Sequence, residues 1–169
     1  KPTERPAGRP VVFLLANIHG GEVEGKEAVQ VLMRRLTSGD LRPLLDRMVI
    51  VIAPIYNIDG NEGIDVMNRT AQFGPVAGVG RRENIKGLDL NRDYMKADTP
   101  EMRAMLRALQ SWHPDLYFDL HVTDGSDYQY DVTFGFNESW GWSPTISRWL
   151  HETLSPALDR DLRAMGHHP

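Results

Sequence analysis

The chain has 169 residues, no cysteine and a formal net charge of −4, with 41 % hydrophobic and 25 % charged residues, which is enough chain for a sizeable core in the proportions of a folded globular protein. Disulfides and thiolate metal sites are excluded, and scattered charge of both signs with no basic stripe argues against nucleic acid as a partner. No apolar run approaches the roughly eighteen residues of a membrane-spanning helix, no signal peptide is recognisable, and cytoplasmic and periplasmic or secreted locations are both compatible.

Lys1 to Pro10, rich in proline, glycine and charge, is expected to form an extended lead (1–10), with a single domain over 11–169. Because the first residue is Lys and not Met, removal of an upstream segment is expected. Val11 to Ala16 is a continuous apolar run, the pattern of a strand buried on both faces of a parallel sheet. Glu22 to Thr37 has a helical period, with Val29, Leu32, Met33 and Leu36 on one face and Gly39 expected as a left-handed C-cap. Leu41 to Asp46 suits a short helical turn. Met48 to Ala53 is a second apolar strand, stopped by Pro54.

Asn57 to Asn61 has the chemistry of a loop. Glu62 to Asn84 shows no clean period and is expected to be a long loop of the kind that carries function. Thr99 as N-cap, Pro100 at the first helical position and Glu101 in the first turn start a helix whose buried face is Met102, Met105, Leu106, Leu109 and Trp112. Leu116 to Val122 is a third strand, and Val132 to Phe136 a candidate fourth. Ser143-Pro144 opens a last helix that Pro156 is expected to interrupt and Gly166 to end, with His167 and His168 as an unordered tail. Strands alternating with helices indicate an α/β fold with a largely parallel sheet, in which ligands sit at the carboxyl ends of the strands.

The polar residues fall at those ends. His19 and Glu22, three positions apart, follow the first strand, and Gly20-Gly21 lets the chain turn between them. Asn57 and Asp59 follow the second strand. His121 lies near the end of the third, 99 positions after Glu22, and strand alternation puts Asp119 on its face. A short His–carboxylate pair with one distant His is how a zinc site with one open coordination position is assembled. Between the two halves lie Arg81-Arg82-Glu83-Asn84 and Asp89-Leu90-Asn91-Arg92. A guanidinium there can grip a carboxylate or stabilise an oxyanion, and a carboxylate can orient an imidazole through its second nitrogen.

Taken in order, His19-Gly-Gly-Glu22, Asn57-Ile-Asp-Gly60, Arg82-Glu-Asn84, Leu88-Asp-Leu-Asn-Arg92 and Asp119-Leu-His121 resemble the zinc carboxypeptidase family (the carboxypeptidase A-like group, peptidase M14), over roughly residues 10 to 136. The resemblance implies a three-layer α/β fold of the zinc exopeptidase, phosphorylase/hydrolase-like type, with a mostly parallel or mixed sheet between helices, incomplete in this chain. It implies one Zn2+ per chain held by His19, Glu22 and His121, with Asp89 behind His19. Arg82 would polarise the scissile carbonyl, with Arg81 as the alternative if the alignment slips by one. Asn91 and Arg92 would hold the free carboxylate of a peptide substrate.

The resemblance also implies a late glutamate acting as general base. Glu138 and Glu152, which follow His121, have no supporting motif, so the base is expected to lie outside this chain, which looks like the middle of a longer catalytic domain. Two other readings stay open. One is a zinc deacylase of the aspartoacylase and succinylglutamate desuccinylase type, acting on an N-acyl amino acid, which would share the zinc and arginine motifs. The other is a non-catalytic carboxylate-binding module.

Overall fold

Two continuous apolar runs and a third segment that carries Asp119 become three parallel strands: β1 (Val11–Ala16), β2 (Val49–Ala53) and β3 (Leu116–Leu120). A computed structural model of the chain describes residues 8–72, 74–123, 125–136 and 143–169. Within it the chain forms two compact units, Lys1–Gly125 and Ser126–Pro169, and the strands belong to the first. β1 lies at the centre, in the order β2-β1-β3, with Leu15 opposite Ala53 on one side and Asp119 on the other. A strand paired on both edges and covered on both faces must be apolar throughout, which is why Val11 to Ala16 reads without alternation.

Successive side chains of β1 serve opposite faces. Phe13 and Leu15 pack with Ile18, Leu90, Met102 and Met105, the last two from α3 (Pro100–Trp112). Leu14 and Ala16 pack with Val29, which comes from α1 (Glu24–Ser38). The first unit is therefore helix, parallel sheet, helix, the three-layer α/β arrangement expected.

Three local expectations in this unit need correction. Gly39 ends α1 with φ −118, not in the left-handed region; its N–H reaches Arg35 O at 3.1 Å, and a Cβ would lie 2.8 Å from Arg35 Cα, so close approach selects glycine there. The left-handed C-cap belongs instead to His113, at the end of α3, with φ 45. Residues 58–62, expected as loop, form the short helix α2 (Ile58–Glu62), because Asn57 Oδ1 accepts the Gly60 N–H at 2.9 Å and caps it. Glu22 does not open α1; it sits in a turn before it, its N–H bonded to His19 O.

The long stretch to Asp89 is mostly irregular, pinned by a bridge between Asp65 and Val79. It closes in a 3₁₀ turn, Leu90–Arg92, capped by Asp89, whose side chain accepts the Asn91 N–H. Leu90 is fully buried and plugs this turn into the core. α3 starts as expected, with Thr99 Oγ1 accepting the Met102 N–H at 3.1 Å. Thr99 is itself fixed by Asp93, whose carboxylate accepts the Thr99 N–H at 2.8 Å, the Thr99 hydroxyl at 2.6 Å and the Asp98 N–H at 2.8 Å.

In the second unit Val132 to Phe136 forms no strand among the described residues. α4 (Pro144–Trp149) runs through a wide π turn, Leu150–Leu154, into α5 (Ser155–Ala164). Pro156 does not break the helix. It falls in the first turn of α5, where a missing N–H costs little, just after the wider turn in which the Ser155 N–H bonds Leu150 O. The tail is ordered: His168 exchanges two backbone-anchored bonds with Asp131 and lies against the Tyr130 ring. No helix among the described residues is long and apolar enough to cross a membrane.

Candidate metal centre

Because β1 and β3 are neighbours with Ala16 opposite Leu120, the residues that follow them emerge side by side. The His19 and His121 rings come to 5.2 Å between centroids, although 102 positions separate them (121 − 19). The first of these loops is shaped by Asn17. It is fully buried and left-handed, with φ 60, and its side-chain amide donates to the carbonyls of His19 (3.3 Å), Gly20 (3.1 Å) and Glu22 (3.0 Å). Asparagine is among the few residues that take this backbone region readily.

Two more loops lock onto the first. The Gly20 N–H bonds Arg81 O and the Arg81 N–H bonds Gly60 O, both at 2.9 Å. A Cβ on Gly20 would fall onto the Gly60 carbonyl, and one on Gly80 onto the same group, so the three backbones touch directly. Asn57 Nδ2 spans them again, donating to Ile18 O and Arg82 O.

One ligand atom from each of His19, Glu22 and His121 lies within 4.8 Å of the other two. His19 Nδ1 is 2.8 Å from Glu22 Oε1 and His121 Nδ1 is 3.0 Å from Glu22 Oε2. Each imidazole turns its other nitrogen to a carboxylate: His19 Nε2 is 3.2 Å from Asp89 Oδ1, and His121 Nε2 is 3.1 Å from Asp119 Oδ1. The second approach is close but off the line of a hydrogen bond. Two imidazole nitrogens and a carboxylate facing one point, with each ring backed by a second carboxylate, form a donor set that fits a divalent zinc ion.

The electrostatics follow from this wiring. Burial alone would lift the Glu22 carboxyl, but bonds from His121, His19 and the Val122 N–H hold it well below the usual carboxylate range. The neighbouring Asp119 carboxylate, with Glu22 second, pushes the His121 imidazole up to about 9 despite its partial burial. Asp89 feels partial burial in the opposite sense, yet the bonds from Arg82 and the Asn91 N–H keep its carboxyl below its ordinary range.

Of the two adjacent arginines, Arg82 joins the network, with Nε 2.8 Å from Asp89 Oδ2. The Arg81 side chain lies against Gly63 instead. Asn91 contributes its backbone N–H to Asp89, and exposed Arg92 donates to Asn91 O at 3.0 Å. Among the described residues Arg92 pairs with no carboxylate. Sequence reasoning missed Asn17 and Arg69. The Arg69 guanidinium reaches Glu22 Oε1 at 2.9 Å, and Arg69 and Arg82 together line a cavity of about 310 Å³ with Met67, Thr70 and Ala71. Arg69 sits 47 positions from Glu22 in a stretch without period, so no spacing announced it.

A profile of the zinc carboxypeptidase family matches residues 1–155. Human carboxypeptidase D is 30 % identical over 115 residues, covering 59 % of this chain and 8 % of that protein. Human carboxypeptidase Z is 28 % identical over a stretch that takes in 93 % of this chain and 29 % of that protein. The crystal structure of a metallo-carboxypeptidase from Burkholderia cenocepacia superposes with a TM-score of 0.58 at 30 % identity, over 75 % of this chain and 32 % of the other. This chain therefore spans about a third or less of the length of these relatives. With the profile covering most of its residues, the chain belongs to the zinc carboxypeptidase family.

Proposed function

We propose that the protein containing this chain is a zinc metallocarboxypeptidase, hydrolysing a peptide bond next to a free C-terminal carboxylate. The observation that carries this reading is the convergence of His19, Glu22 and His121, with Asp89 and Asp119 behind the two rings. Zinc bound there would supply a Lewis acid for the scissile carbonyl and for water. His19, Glu22 and His121 would hold it. Asp89, fixed by Arg82 and by the Asn91 N–H, would keep the His19 ring turned so that Nδ1 faces the ion.

Arg82 would present its guanidinium to the oxygen that gains charge as the carbonyl is attacked, the kind of preorganised donor that stabilises an oxyanion. Arg92, exposed and with no carboxylate partner among the described residues, would take the substrate carboxylate, aided by the Asn91 side chain. We assign no general base within these residues: Glu152 is exposed in the π turn of the second unit, and Glu138 lies outside the described residues.

The test is hydrolysis by the full-length, zinc-loaded protein of three substrates: a peptide with a free C-terminus, the same peptide amidated, and an N-acyl amino acid. Cleavage of the first alone, lost with a chelator and in His121→Ala, supports the carboxypeptidase reading. Preference for the N-acyl amino acid would replace it with the deacylase. Zinc-independent binding of the free-carboxylate peptide with no turnover would replace it with the binding module.

A further inference from the structure

Glu22 is held at both oxygens by groups that are not themselves candidate ligands. Arg69 donates to Oε1 at 2.9 Å and the Val122 N–H donates to Oε2 at 3.0 Å. Arg69 is built into place. Its side chain is 7 % exposed, its backbone is left-handed with φ 52, and its Nε donates to Gln72 Oε1 at 2.7 Å. Gln72 in turn donates to Gly21 O at 3.4 Å. The Arg69 stem lies over Gly21, where any Cβ would collide with its Cδ. The glycine beside the metal-ligand pair thus leaves room for an arginine from a distant loop.

A buried guanidinium is expensive to desolvate, and a left-handed backbone at a non-glycine residue adds strain. Both accompany the contact that Arg69 makes with the Glu22 carboxylate. The two imidazole nitrogens that now face Glu22 are the ones an ion would take, and a ligating nitrogen has no proton to donate. Once they ligate, Arg69 and the Val122 N–H are the donors left on Glu22 among the contacts described.

We propose that Arg69 is a positioning residue for the metal centre: it fixes the orientation of the Glu22 carboxylate in the ion-loaded state, and Gln72 fixes Arg69. This rests on the reading of His19, Glu22 and His121 as metal ligands. It commits Arg69 to the ion and not to the substrate, although its side chain also borders the cavity.

The experiment uses the full-length protein and its variants R69M, R69K and Q72L, with Zn2+ affinity measured by chelator competition, the visible spectrum of the Co2+-substituted form, and circular dichroism as a check of folding. R69M is expected to bind Zn2+ about 10- to 100-fold more weakly and to change the Co2+ spectrum. R69K is expected to recover part of the affinity, since it restores the charge without the fork. Q72L is expected to fall between wild type and R69M. Zn2+ affinity in R69M within about threefold of wild type with an unchanged spectrum, or tighter binding, overturns the proposal. A raised KM at unchanged Zn2+ affinity also overturns it, and makes Arg69 a substrate group. Should R69M fail to fold, folded Q72L and R69K decide: weakened Zn2+ binding in Q72L supports the proposal, and wild-type affinity in both refutes it. A wild-type protein that takes up no Zn2+ defeats the metal reading itself, an outcome separable from failure of the Arg69 role alone.

Discussion

Replacing Asn17 should separate two things that this residue does at once. Its amide group has two hydrogens serving three carbonyls, those of His19, Gly20 and Glu22, so two full bonds can be credited. At about 0.5–1.5 kcal/mol net per bond, the bridge contributes about 1–3 kcal/mol. Its φ of 60 adds about 1–2 kcal/mol against an ordinary side chain. Asn17→Gly keeps the backbone handedness and loses only the bridge, so it should destabilise by about 1–3 kcal/mol. Asn17→Ala loses both, for about 2–5 kcal/mol. Asn17→Asp should be worst, because an acceptor-only carboxylate would face carbonyl oxygens in a site closed to water. Urea unfolding of the purified variants gives the three values, and Zn2+ titration shows whether the loop still presents His19 and Glu22. Equal losses in the aspartate and glycine variants would refute the bridge and leave backbone handedness as the only role.

Leu90→Ala should destabilise by about 2–5 kcal/mol on urea unfolding, since Leu90 is fully buried in the core, and should loosen the turn that carries Asp89 and Arg92. Asp93 is held below the usual carboxylate range: burial works against this, but the bonds from the Thr99 hydroxyl and the Thr99 and Asp98 N–H groups prevail. A depressed folded-state value adds stability that is present above about pH 4 and lost as pH falls through the folded value, so Asp93→Asn should flatten the acid side of a Tm-versus-pH curve. His113→Gly should stabilise by about 0.5–1 kcal/mol, read as a raised Tm, because it removes a left-handed backbone from a residue with a side chain.

The central strand, β1, was legible because burial on both faces of a parallel sheet leaves only apolar residues, and that pattern is local. α3 was legible for the same reason: Thr99, Pro100 and Glu101 are a start signal contained in three adjacent positions. Val132 to Phe136 has strand composition, but a strand needs a partner, and partners are not written in the segment itself. Residues 58–62 looked like a loop because Asp, Gly and Asn favour turns; the deciding bond from the Gly60 N–H to Asn57 Oδ1 is a single contact that composition does not encode. At the site, His19 and Glu22 stood out through spacing and His121 through family order. Arg69 had neither: its place beside Glu22 depends on how an irregular loop folds back over Gly21.

The crossing of Gly20, Gly60 and Gly80 has a consequence for how such a centre can diversify. Three remote parts of the chain meet there backbone to backbone, with no side chain between them to yield, so the loop carrying His19 and Glu22 is tied directly to the one carrying Arg82. Drift at that crossing is confined to one residue type, whereas the strands beneath accept many apolar residues of similar volume. Substitution is easier around the crossing, where side chains such as Met67, Thr70 and Ala71 border the cavity and can change without disturbing the three backbones. The crossing thus separates the backbone that holds His19 and Glu22 in place from a rim of side chains that is free to vary around it.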